Sequence, residues 1–314
     1  MLRKITAWIV ALSILLLPAA LADAVRVGAL KGPTAMGMVE MMKDKADDYE
    51  FTLCAAPDEI VPLLVKGELD IAAVPANLGA VLYNNTEGQV RALTVNTLGV
   101  LYVLERGDTV HTVADLKGRT LVTYGKGLTP EYALNYILRG NGLDPEKDLT
   151  IEFKSEHSEC LAAMLEDDSL VAMLPQPFAT IAMSQAGDAR IALDLNAEWD
   201  ALQAESEAPS GLITGATIAR TAFIDENPDA VERFLADYAV SVAFTQDHPA
   251  DAAALIGEFD IFKAEPAEKA LPYCNIVFIA GEEMKAKLSG YLEELFSQDP
   301  AAVGGAVPGE DFYY

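Results

Sequence analysis

The stretch that decides the fold is Pro57-Asp-Glu-Ile-Val-Pro-Leu-Leu-Val-Lys-Gly-Glu-Leu-Asp-Ile-Ala-Ala-Val-Pro-Ala-Asn77. Its first half predicts a helix from Pro57 to Lys66 that ends at Gly67, because glycine is common just past a helix end. Its second half, Leu69 to Val74, is almost entirely apolar and predicts a short buried strand. Another strand-like segment, Tyr49 to Ala55, precedes the helix. A strand, a helix and a second strand in this order are typical of an α/β domain with a parallel sheet.

The same alternation continues on both sides of this stretch. Toward the N-terminus, Val25 to Leu30 predicts a strand and Ala35 to Lys45 a helix. Toward the C-terminus, the sequence predicts strands at 119–123, 149–153 and 170–174 and helices at 131–140 and 160–166. Thr129, followed by Pro130, is predicted to cap the first of these helices, since a threonine hydroxyl accepts a backbone N–H bond there. The fold class is therefore α/β, with a mostly parallel sheet covered by helices on both faces.

A long β-type run, Leu93 to Leu104, breaks this alternation. At about 3.4 Å per residue it would reach roughly 40 Å, which exceeds a typical strand and is enough to cross between two lobes. Two consecutive hairpin strands are the alternative, since short connections are common. A glycine-containing run at Ser210 to Ala219 predicts the return crossing, and helices alone are predicted from Asn227 onward. The predicted division is lobe 1 at 23–98 plus 216–314 and lobe 2 at 99–215, with hinges near 96–105 and 210–218.

The first 22 residues, 1–22, are predicted to be a cleaved signal peptide. A basic start at Arg3 and Lys4 precedes an apolar run that ends in the triplet Ala20-Leu-Ala22, with a small residue at its first and last positions, which is the layout of such a leader. The run from Ile5 to Ala22 is 18 residues long, so a retained membrane anchor is the alternative. No cysteine follows the run to accept a lipid. The chain is therefore expected to be exported, to the periplasm or to the extracellular face of the membrane.

Charge and composition disfavour several classes of protein. The formal net charge is −26, from 22 basic and 48 acidic residues, and loss of Arg3 and Lys4 with the leader makes it −28. Binding to nucleic acid or to an anionic membrane is therefore disfavoured. The three cysteines lie far apart along the chain, as do the three histidines, so neither a disulfide framework nor a metal site is predicted. No cofactor and no catalytic residue are expected.

Ligands of open α/β sheets bind beyond the carboxyl ends of the strands, where loops and helix N-termini meet. This rule selects four turns, at 30–34, 75–77, 124–129 and 175–178, which the hinge residues Asn96 and Thr97 are predicted to join in one cleft. Free backbone N–H groups and positive helix ends in such turns favour a polar or anionic group. The sequence thus predicts a single cleft that suits a small solute.

Four types of residue in these turns suit ligand binding. A lysine can pair with an acidic ligand or remain solvated, and a glycine allows close approach of the backbone. An aromatic ring can stack on a planar ligand or fill the core, and an amide can form specific hydrogen bonds. The residues concerned are Lys31 and Lys126, Gly32, Gly125 and Gly127, Tyr124 and Phe178, and Asn77 and Gln176.

Three segments resemble those of type II periplasmic binding proteins: Gly67 to Asn77, Asp115 to Thr129 and Pro175 to Phe178. The most similar group comprises the sulfonate, nitrate and thiamine-precursor binders known as the SsuA/THI5-like or NMT1 family. The resemblance implies the two-lobed type II periplasmic-binding-protein fold, with two hinge strands, the ligand in the interlobe cleft and the C-terminal portion in lobe 1. It implies ligand contacts at Thr34, Asn77, Thr97, Gly127, Thr129, Gln176 and Phe178.

The function implied by the resemblance is that of the extracytoplasmic substrate-binding component of an ABC importer. Such a protein, expected here as a monomer, captures a small solute by lobe closure and delivers it to a membrane permease with its ATPase. Leu128-Thr129 stands where family members often carry Ser-Ser or Ser-Thr, and no arginine lies in the four turns. A pyrimidine or another heterocycle is therefore a candidate beside sulfonate and nitrate. The full predicted ligand-binding set is Lys31, Gly32, Thr34, Asn77, Thr97, Tyr124, Gly127, Thr129, Gln176 and Phe178.

Enzymes occur on the same fold, so an enzyme is the alternative function. The related enzymes are a fungal pyrimidine-precursor synthase, which uses iron, a histidine and clustered cysteines, and cytoplasmic enzymes of the menaquinone pathway. The chain has no cysteine cluster, and the predicted leader argues against the cytoplasm. The four turns contain neither a histidine nor a carboxylate pair for acid–base work. Binding is therefore the predicted function, and the chain is predicted not to be an enzyme.

Overall fold

Strands and helices alternate through residues 24–206 and 209–314, which the computed structural model describes. The predicted signal peptide at 1–22 lies outside the described residues. The strands are β1 (Val25–Leu30), β2 (Tyr49–Cys54), β3 (Ile71–Pro75), β4 (Val90–Leu98), β5 (Leu101–Arg106), β6 (Thr120–Tyr124), β7 (Thr150–Lys154), β8 (Val171–Pro175), β9 (Ala189–Asp194), β10 (Ile213–Arg220) and β11 (Ile276–Ile279). The helices are α1 (Pro33–Met36), α2 (Val39–Asp44), α3 (Pro57–Val65), α4 (Ala76–Asn85), α5 (Thr129–Gly140), α6 (His157–Glu166), α7 (Phe178–Gln185), α8 (Leu195–Gln203), α9 (Thr221–Glu226), α10 (Pro228–Asp247), α11 (Pro249–Glu258), α12 (Ala264–Ala270) and α13 (Gly281–Gln298).

The strands form two separate mixed sheets. Sheet 1 has the order β11-β4-β10-β3-β1-β2, and sheet 2 has the order β7-β6-β8-β5-β9. In sheet 1, β1 runs parallel to β2 and β3, whereas β10 is antiparallel to β3 and β4. In sheet 2, β6 runs parallel to β7 and β8, whereas β5 is antiparallel to β8 and β9. Four strands of each sheet, β1 to β4 and β6 to β9, therefore run in one direction, in line with the predicted mostly parallel arrangement. The opposed strands, which the sequence did not predict, are β10 and β11 in sheet 1 and β5 in sheet 2.

The first crossover between the sheets is only two residues long. β4 ends at Leu98 in sheet 1, Gly99 and Val100 follow, and β5 begins at Leu101 in sheet 2. The long β-type run is therefore two strands that belong to different sheets and are not neighbours in either, as a hairpin would require. The return crossover lies between α8 and β10, so the boundary predicted at residues 215/216 falls inside β10. Sheet 1 with its helices is called lobe 1 below, and sheet 2 with α5 to α8 is called lobe 2.

Helices cover both faces of sheet 1. Side chains alternate along β3, so that Ile71 joins the apolar cluster of α2, α10 and α11, whereas Ala72 joins the cluster of α3, α4 and α13. Phe234 on α10 and Leu288 on α13 are completely buried on these opposite faces. Burial of each such side chain stabilises the fold by about 2 kcal/mol. The apolar cluster that contains Ala72 continues into lobe 2 through Trp199 on α8, so the lobes share part of one core.

Two helix starts differ from the sequence prediction. α5 begins at Thr129 itself, while Leu128 holds the cap position and makes no side-chain cap bond. The carboxylate of Glu131 accepts a bond from the Gly127 N–H instead, so a residue inside the helix satisfies a backbone donor just before it. The predicted cap at Thr129 was therefore wrong. The second difference is at α6, which begins at His157, three residues before the predicted start at Cys160.

The sequence predicted helices alone from Asn227 onward, but this part of the chain also contains one strand. Ile276 to Ile279 form β11, an edge strand that pairs antiparallel with β4. Four apolar residues give no periodicity that separates a strand from a helix, and only pairing with a strand about 180 residues earlier in the chain decides the outcome. Across the described ranges, no helix combines the length and the apolar character needed to cross a membrane.

Candidate functional site

The carboxyl ends of the parallel strands of both sheets lie next to the first crossover. Leu101, the first residue of β5, pairs with Pro175 at the end of β8. The Gln176 N–H donates to the Val100 carbonyl at 3.0 Å, so the edge of sheet 2 adjoins the end of β4 in sheet 1. The space between these two edges is the candidate ligand site. It is bordered by the strand ends Leu30, Pro75, Leu98, Tyr124, Lys154 and Pro175.

Gly215 lies at the middle of the sheet 1 edge. It pairs with Pro75 on β3 and with Thr97 on β4. A Cβ atom at this position would lie 2.3 Å from Asn96 Oδ1 and 2.6 Å from Thr34 Cγ2, far inside van der Waals contact. Only a glycine therefore lets the predicted residues Thr34 and Thr97 converge here without displacing a neighbour.

A buried polar network surrounds Gly215. Thr97 Oγ1 donates to Asn96 Oδ1 at 3.0 Å, and Asn96 Nδ2 donates to Thr217 Oγ1 at 3.1 Å. All three side chains are buried, so their bonds replace those that water would make. Thr34, which is half-buried, donates to the Leu30 carbonyl at 2.9 Å. The network holds this edge of the site in one arrangement.

Three aromatic rings stack along the edge of sheet 2. The ring centroids of Tyr124 and His157 are 4.5 Å apart, and those of His157 and Phe178 are 5.0 Å apart with 24° between the ring planes. Tyr124 ends β6, His157 begins α6 after β7, and Phe178 begins α7 after β8. The three half-buried rings therefore meet because the parallel strands before them end at the same edge.

His157 is the centre of this aromatic stack. Burial lowers the pKa of His157 below its ordinary value of 6.5, and the opposing effect of Glu156 is smaller. The imidazole is therefore neutral at pH 7, with one nitrogen that donates and one that accepts a hydrogen bond. The four predicted turns contain no histidine, but a fifth turn, at the end of β7, places His157 among the site residues. The sequence argument against acid–base chemistry considered only the four turns and therefore did not take His157 into account.

Gln176 carries a hydrogen-bond donor without a partner. The residue is 3 % exposed, and its Oε1 accepts bonds from the Thr180 N–H at 3.3 Å and from Thr180 Oγ1 at 2.8 Å. Its Nε2 has no hydrogen-bond partner among the residues that the structure describes. An unpaired buried donor costs about 1–3 kcal/mol, so the amide is suited to a ligand acceptor.

Three of the predicted residues, Asn77, Gly127 and Thr129, lie near the residues that follow α13. Asn77 Nδ2 donates to the Ala302 carbonyl at 3.1 Å, so the amide predicted to bind ligand already has an internal partner. The Gly127 carbonyl accepts a bond from Tyr132 Oη at 3.1 Å, and Thr129 is the first residue of the same helix as Tyr132. These residues border the site at a different place from Thr34 and Thr97.

The predicted cationic groups have partners within the protein. Lys31 Nζ lies 2.6 Å from Asp260 Oδ2, and Lys126 Nζ lies 5.8 Å from the centroid of the Phe153 ring. Gly32, next to Lys31, has a φ of 126° and open space where a Cβ would lie. The four turns therefore present backbone and neutral donors more directly than cations.

A separate cavity of about 340 Å³ opens on lobe 1. It is formed by the end of α10, the start of α11 and the segment that leads into β11, and none of the ten predicted ligand-binding residues lines it. In the part of the chain that is described, no group of three or more His, Cys, Asp or Glu residues is arranged to hold a metal ion.

Residues 37–267 match the family described as "ABC transporter, phosphonate, periplasmic substrate-binding protein". The match spans well over half of the chain, and the chain therefore belongs to this family of periplasmic substrate-binding proteins of ABC transporters. The predicted relation to periplasmic binding proteins is confirmed. No protein with a curated description matches the chain.

Solved structures share the fold at low sequence identity. An ABC transporter protein from Parabacteroides distasonis is 24 % identical with a TM-score of 0.78, and the match covers 93 % of this chain and 98 % of that chain. The periplasmic aliphatic sulphonate binding protein SsuA from Escherichia coli is 17 % identical with a TM-score of 0.71, over 93 % and 92 % of the two chains. The periplasmic nitrate-binding protein NrtA from Synechocystis PCC 6803 is 15 % identical with a TM-score of 0.56, over 83 % and 74 %. The fold is therefore the predicted two-lobed type II periplasmic-binding-protein fold.

Sequence reasoning missed two residues of the site, Gly215 and His157. The turn rule could have found His157, because this residue follows the parallel strand β7, but the turn at the end of β7 was not among the four that were selected. Gly215 lies within a β-type run that was interpreted only as a hinge, and its role depends on contacts with Asn96 and Thr34, which are far away in the sequence. A glycine in a strand interior is nevertheless a known sign of close backbone approach.

Proposed function

We propose that the chain captures a small organic oxyanion between its two lobes and delivers it, unchanged, to the permease and ATPase of an ABC importer. The adjoining edges of the two sheets carry this proposal, because five turns and four helix starts meet there. We further propose that the protein acts as an exported monomer, without a cofactor or metal.

The helix starts support an oxyanion as the bound group. α4, α5, α6 and α7 begin directly after the strands or turns that border the site. The first N–H groups of a helix have no intrahelical acceptor, and the positive end of the helix dipole favours a negative charge. Phosphonate, named for the family, and the sulphonate and nitrate, named for two of the similar structures, are all oxyanions. Neutral donors therefore supply the recognition that arginine supplies elsewhere.

The aromatic stack supports an organic part of the solute. Tyr124, His157 and Phe178 present a neutral, partly exposed face at the same edge as the helix starts. Apolar or planar groups gain free energy by leaving water for such a surface, about 25 cal/mol for each Å² buried. An organic phosphonate or sulfonate with an apolar or aromatic substituent fits both features better than inorganic nitrate does.

Lobe closure about hinges near 96–105 and 210–218 is part of the proposal, with lobe 2 between these hinges and lobe 1 formed by the segments on either side of them. The two crossovers lie side by side: a Cβ on Gly99 would meet Leu212 Cδ2 at 2.7 Å. The Gly99 N–H also donates to Asn196 Oδ1 at 3.1 Å. Adjacent connections of this kind allow the lobes to rotate about one axis.

A panel of solutes tests the function in the purified mature protein. An organic phosphonate or sulfonate is expected to raise the melting temperature by about 5 °C at 100 times its Kd, because it binds only the folded state. Closure is expected to change the emission of Trp199, whose ring contacts Tyr136 in lobe 2 and Tyr291 on α13. Pyrimidines and nitrate serve as comparison solutes.

Mass spectrometry of the same mixtures separates binding from catalysis. The solute is expected to be recovered unchanged, and a converted product would replace the binding function with the enzymatic alternative. A panel in which no oxyanion shifts the melting temperature while a neutral heterocycle does would show that the proposed solute class is wrong.

Substitution of Gln176 by leucine is expected to weaken binding of the best solute about tenfold or more, because it removes the unpaired Nε2 donor at nearly constant volume. Isothermal titration calorimetry measures this change. Thr180→Val is the matched control, because it removes a hydroxyl bonded to Gln176 Oε1 but leaves Nε2 in place. Equal affinities in Gln176→Leu and the unmodified protein would contradict a role for this amide.

A further inference from the structure

The segment from Asp299 to Tyr314, here called the C-terminal strap, is attached to lobe 1. Phe312 is completely buried, and its ring centroid lies 5.2 Å from that of Tyr83 on α4. Asn84, also on α4, donates from Nδ2 to the Val303 carbonyl at 2.7 Å. The strap therefore belongs to lobe 1 through both apolar and polar contacts.

The first residue of the strap reaches lobe 2. Tyr132 on α5 donates from its hydroxyl to Asp299 Oδ2 at 2.8 Å. Gln298, the last residue of α13, donates from Nε2 to the Tyr132 carbonyl at 3.0 Å. Tyr132 is 8 % exposed, and burial together with Asp299 raises the pKa of Tyr132 to about 12. The hydroxyl therefore keeps its proton at neutral pH and links the two lobes away from the crossovers.

The Tyr132 hydroxyl has two acceptors for a single proton. It lies 3.1 Å from the Gly127 carbonyl and 2.8 Å from Asp299 Oδ2. A hydroxyl donates only one hydrogen bond at a time, and the charged carboxylate at the shorter distance is the stronger acceptor. The turn at 124–129 in lobe 2 therefore competes with the strap of lobe 1 for one bond.

The strap also contacts the turn at 75–77. Pro300–Val303 form a single 3₁₀ turn, which Asp299 Oδ1 caps by accepting the Ala301 N–H at 2.9 Å. The Ala302 carbonyl of this turn accepts Asn77 Nδ2 at 3.1 Å. One continuous path of contacts thus joins the two turns: Gly127, Tyr132, Asp299, Ala302 and Asn77.

We propose that Tyr132 and Asp299 are positioning residues that latch the two lobes together and set the spacing between the turns at 75–77 and 124–129. The inference rests on the proposed function only in taking these turns as solute-binding. Donation to Asp299 holds the lobes together, and donation to Gly127 releases the strap while it fixes the lobe 2 turn. Neither residue needs to touch the solute.

Lobe separation in the solute-free protein tests the latch directly. Lys66→Cys in lobe 1 and Asp168→Cys in lobe 2 provide exposed positions for spin labels, since the three native cysteines are buried. In this doubly labelled protein, Tyr132→Phe is expected to raise the ratio of molecules with long label separations to those with short ones about tenfold, as loss of a bond to a charged group implies. Double electron–electron resonance measures the distance distribution.

Tyr49→Phe is the matched control for this experiment. The Tyr49 hydroxyl donates to Asp237 Oδ2 at 2.7 Å, so the same kind of bond is lost, but within lobe 1 alone. The control is expected to keep the distance distribution of the parent protein. Equal distributions in the Tyr132 and Tyr49 variants would overturn the latch.

Hydrogen exchange at residues 124–129 separates a positioning role from a purely structural one. Asp299→Ser retains a capping oxygen but cannot reach Tyr132, so the hydroxyl donates to Gly127 alone and exchange of the turn is expected to slow. Tyr132→Phe removes both bonds, and exchange is expected to become faster. If both substitutions changed the exchange rate of this turn in the same direction, the proposal would be overturned. No solute is present, so that result would leave the proposed function intact.

Discussion

Replacement of Asp70 by alanine is expected to lower the free energy of unfolding by about 3 kcal/mol, because it removes the buried carboxylate that two arginines bind. Asp70 is 5 % exposed. It accepts bonds from Arg26 Nε at 2.9 Å and from an Arg220 guanidinium nitrogen at 2.8 Å. These residues join β1, β3 and β10 at the edge of sheet 1 opposite the site, so the loss affects three adjacent strands. Urea titration at pH 7 measures the change.

The Asp70 contribution should also depend on pH. Burial alone would raise the pKa of Asp70, but hydrogen bonds from Arg26 and Arg220 outweigh burial and hold the pKa below its usual value of 3.8. The ionised carboxylate therefore stabilises the fold fully above the unfolded pKa of about 3.9, and the contribution is lost as the pH falls through the lower folded pKa. The difference in unfolding free energy between the parent protein and Asp70→Ala should therefore become smaller as the pH falls through this acidic range.

Asp188→Ala is the control for the buried pair. Asp188 bonds Arg106 at 3.0 Å, but its side chain is mostly exposed, and surface pairs contribute little. The control should unfold at nearly the urea concentration of the parent protein. Equal destabilisation by the two aspartate substitutions would show that burial of Asp70 does not decide its effect.

Replacement of Gly215 by alanine is expected to reduce stability by about 2 kcal/mol and to abolish high-affinity solute binding. The added methyl would lie 2.3 Å from Asn96 Oδ1, so the Asn96 side chain must move and give up its bond to Thr217. Overpacking of this kind typically costs about 1–3 kcal/mol. The same movement displaces Thr34 and Thr97 at the proposed site, which calorimetric titration would detect as lost binding.

Gly211→Ala is the matched control, because Gly211 lies only four residues before Gly215, in the return crossover. Its Cβ would meet no atom closer than 3.8 Å, an ordinary contact distance. The control is expected to bind solute like the parent protein. If Gly215→Ala bound solute with unchanged affinity, the sheet 1 edge would not be part of the site.

Local sequence patterns predicted the elements that make up the first half of lobe 1. The run Leu69 to Val74 predicted β3, and Pro57 to Lys66 predicted α3, each within about two residues of the observed bounds. Both signals are local, since an apolar run or a helix stop acts on neighbouring residues. The turns that follow such strands were predicted for the same reason, because the carboxyl end of a strand is identified as soon as the strand is.

Pairings between distant residues could not be predicted in this way. The antiparallel insertion of β10 and the short strand β11 depend on partners elsewhere in the chain. The bond from Asn77 to Ala302 spans 225 residues, and nothing near Asn77 signals it. The predicted role of Asn77 was drawn from its own turn and from the family resemblance, and neither indicates its contact with the strap. Site geometry therefore had to come from the three-dimensional structure.

The position of β10 has a consequence for the order in which the chain can fold. Lobe 2 holds its five strands within the continuous stretch 101–194, whereas sheet 1 lacks the strand between β3 and β4 until residues 213–220 are available. A polypeptide that emerges from its N-terminus can therefore complete lobe 2 before lobe 1. Sheet 1, whose strands begin first in the chain, is therefore completed last, because β10 and β11 must both be synthesised before its six strands are all present.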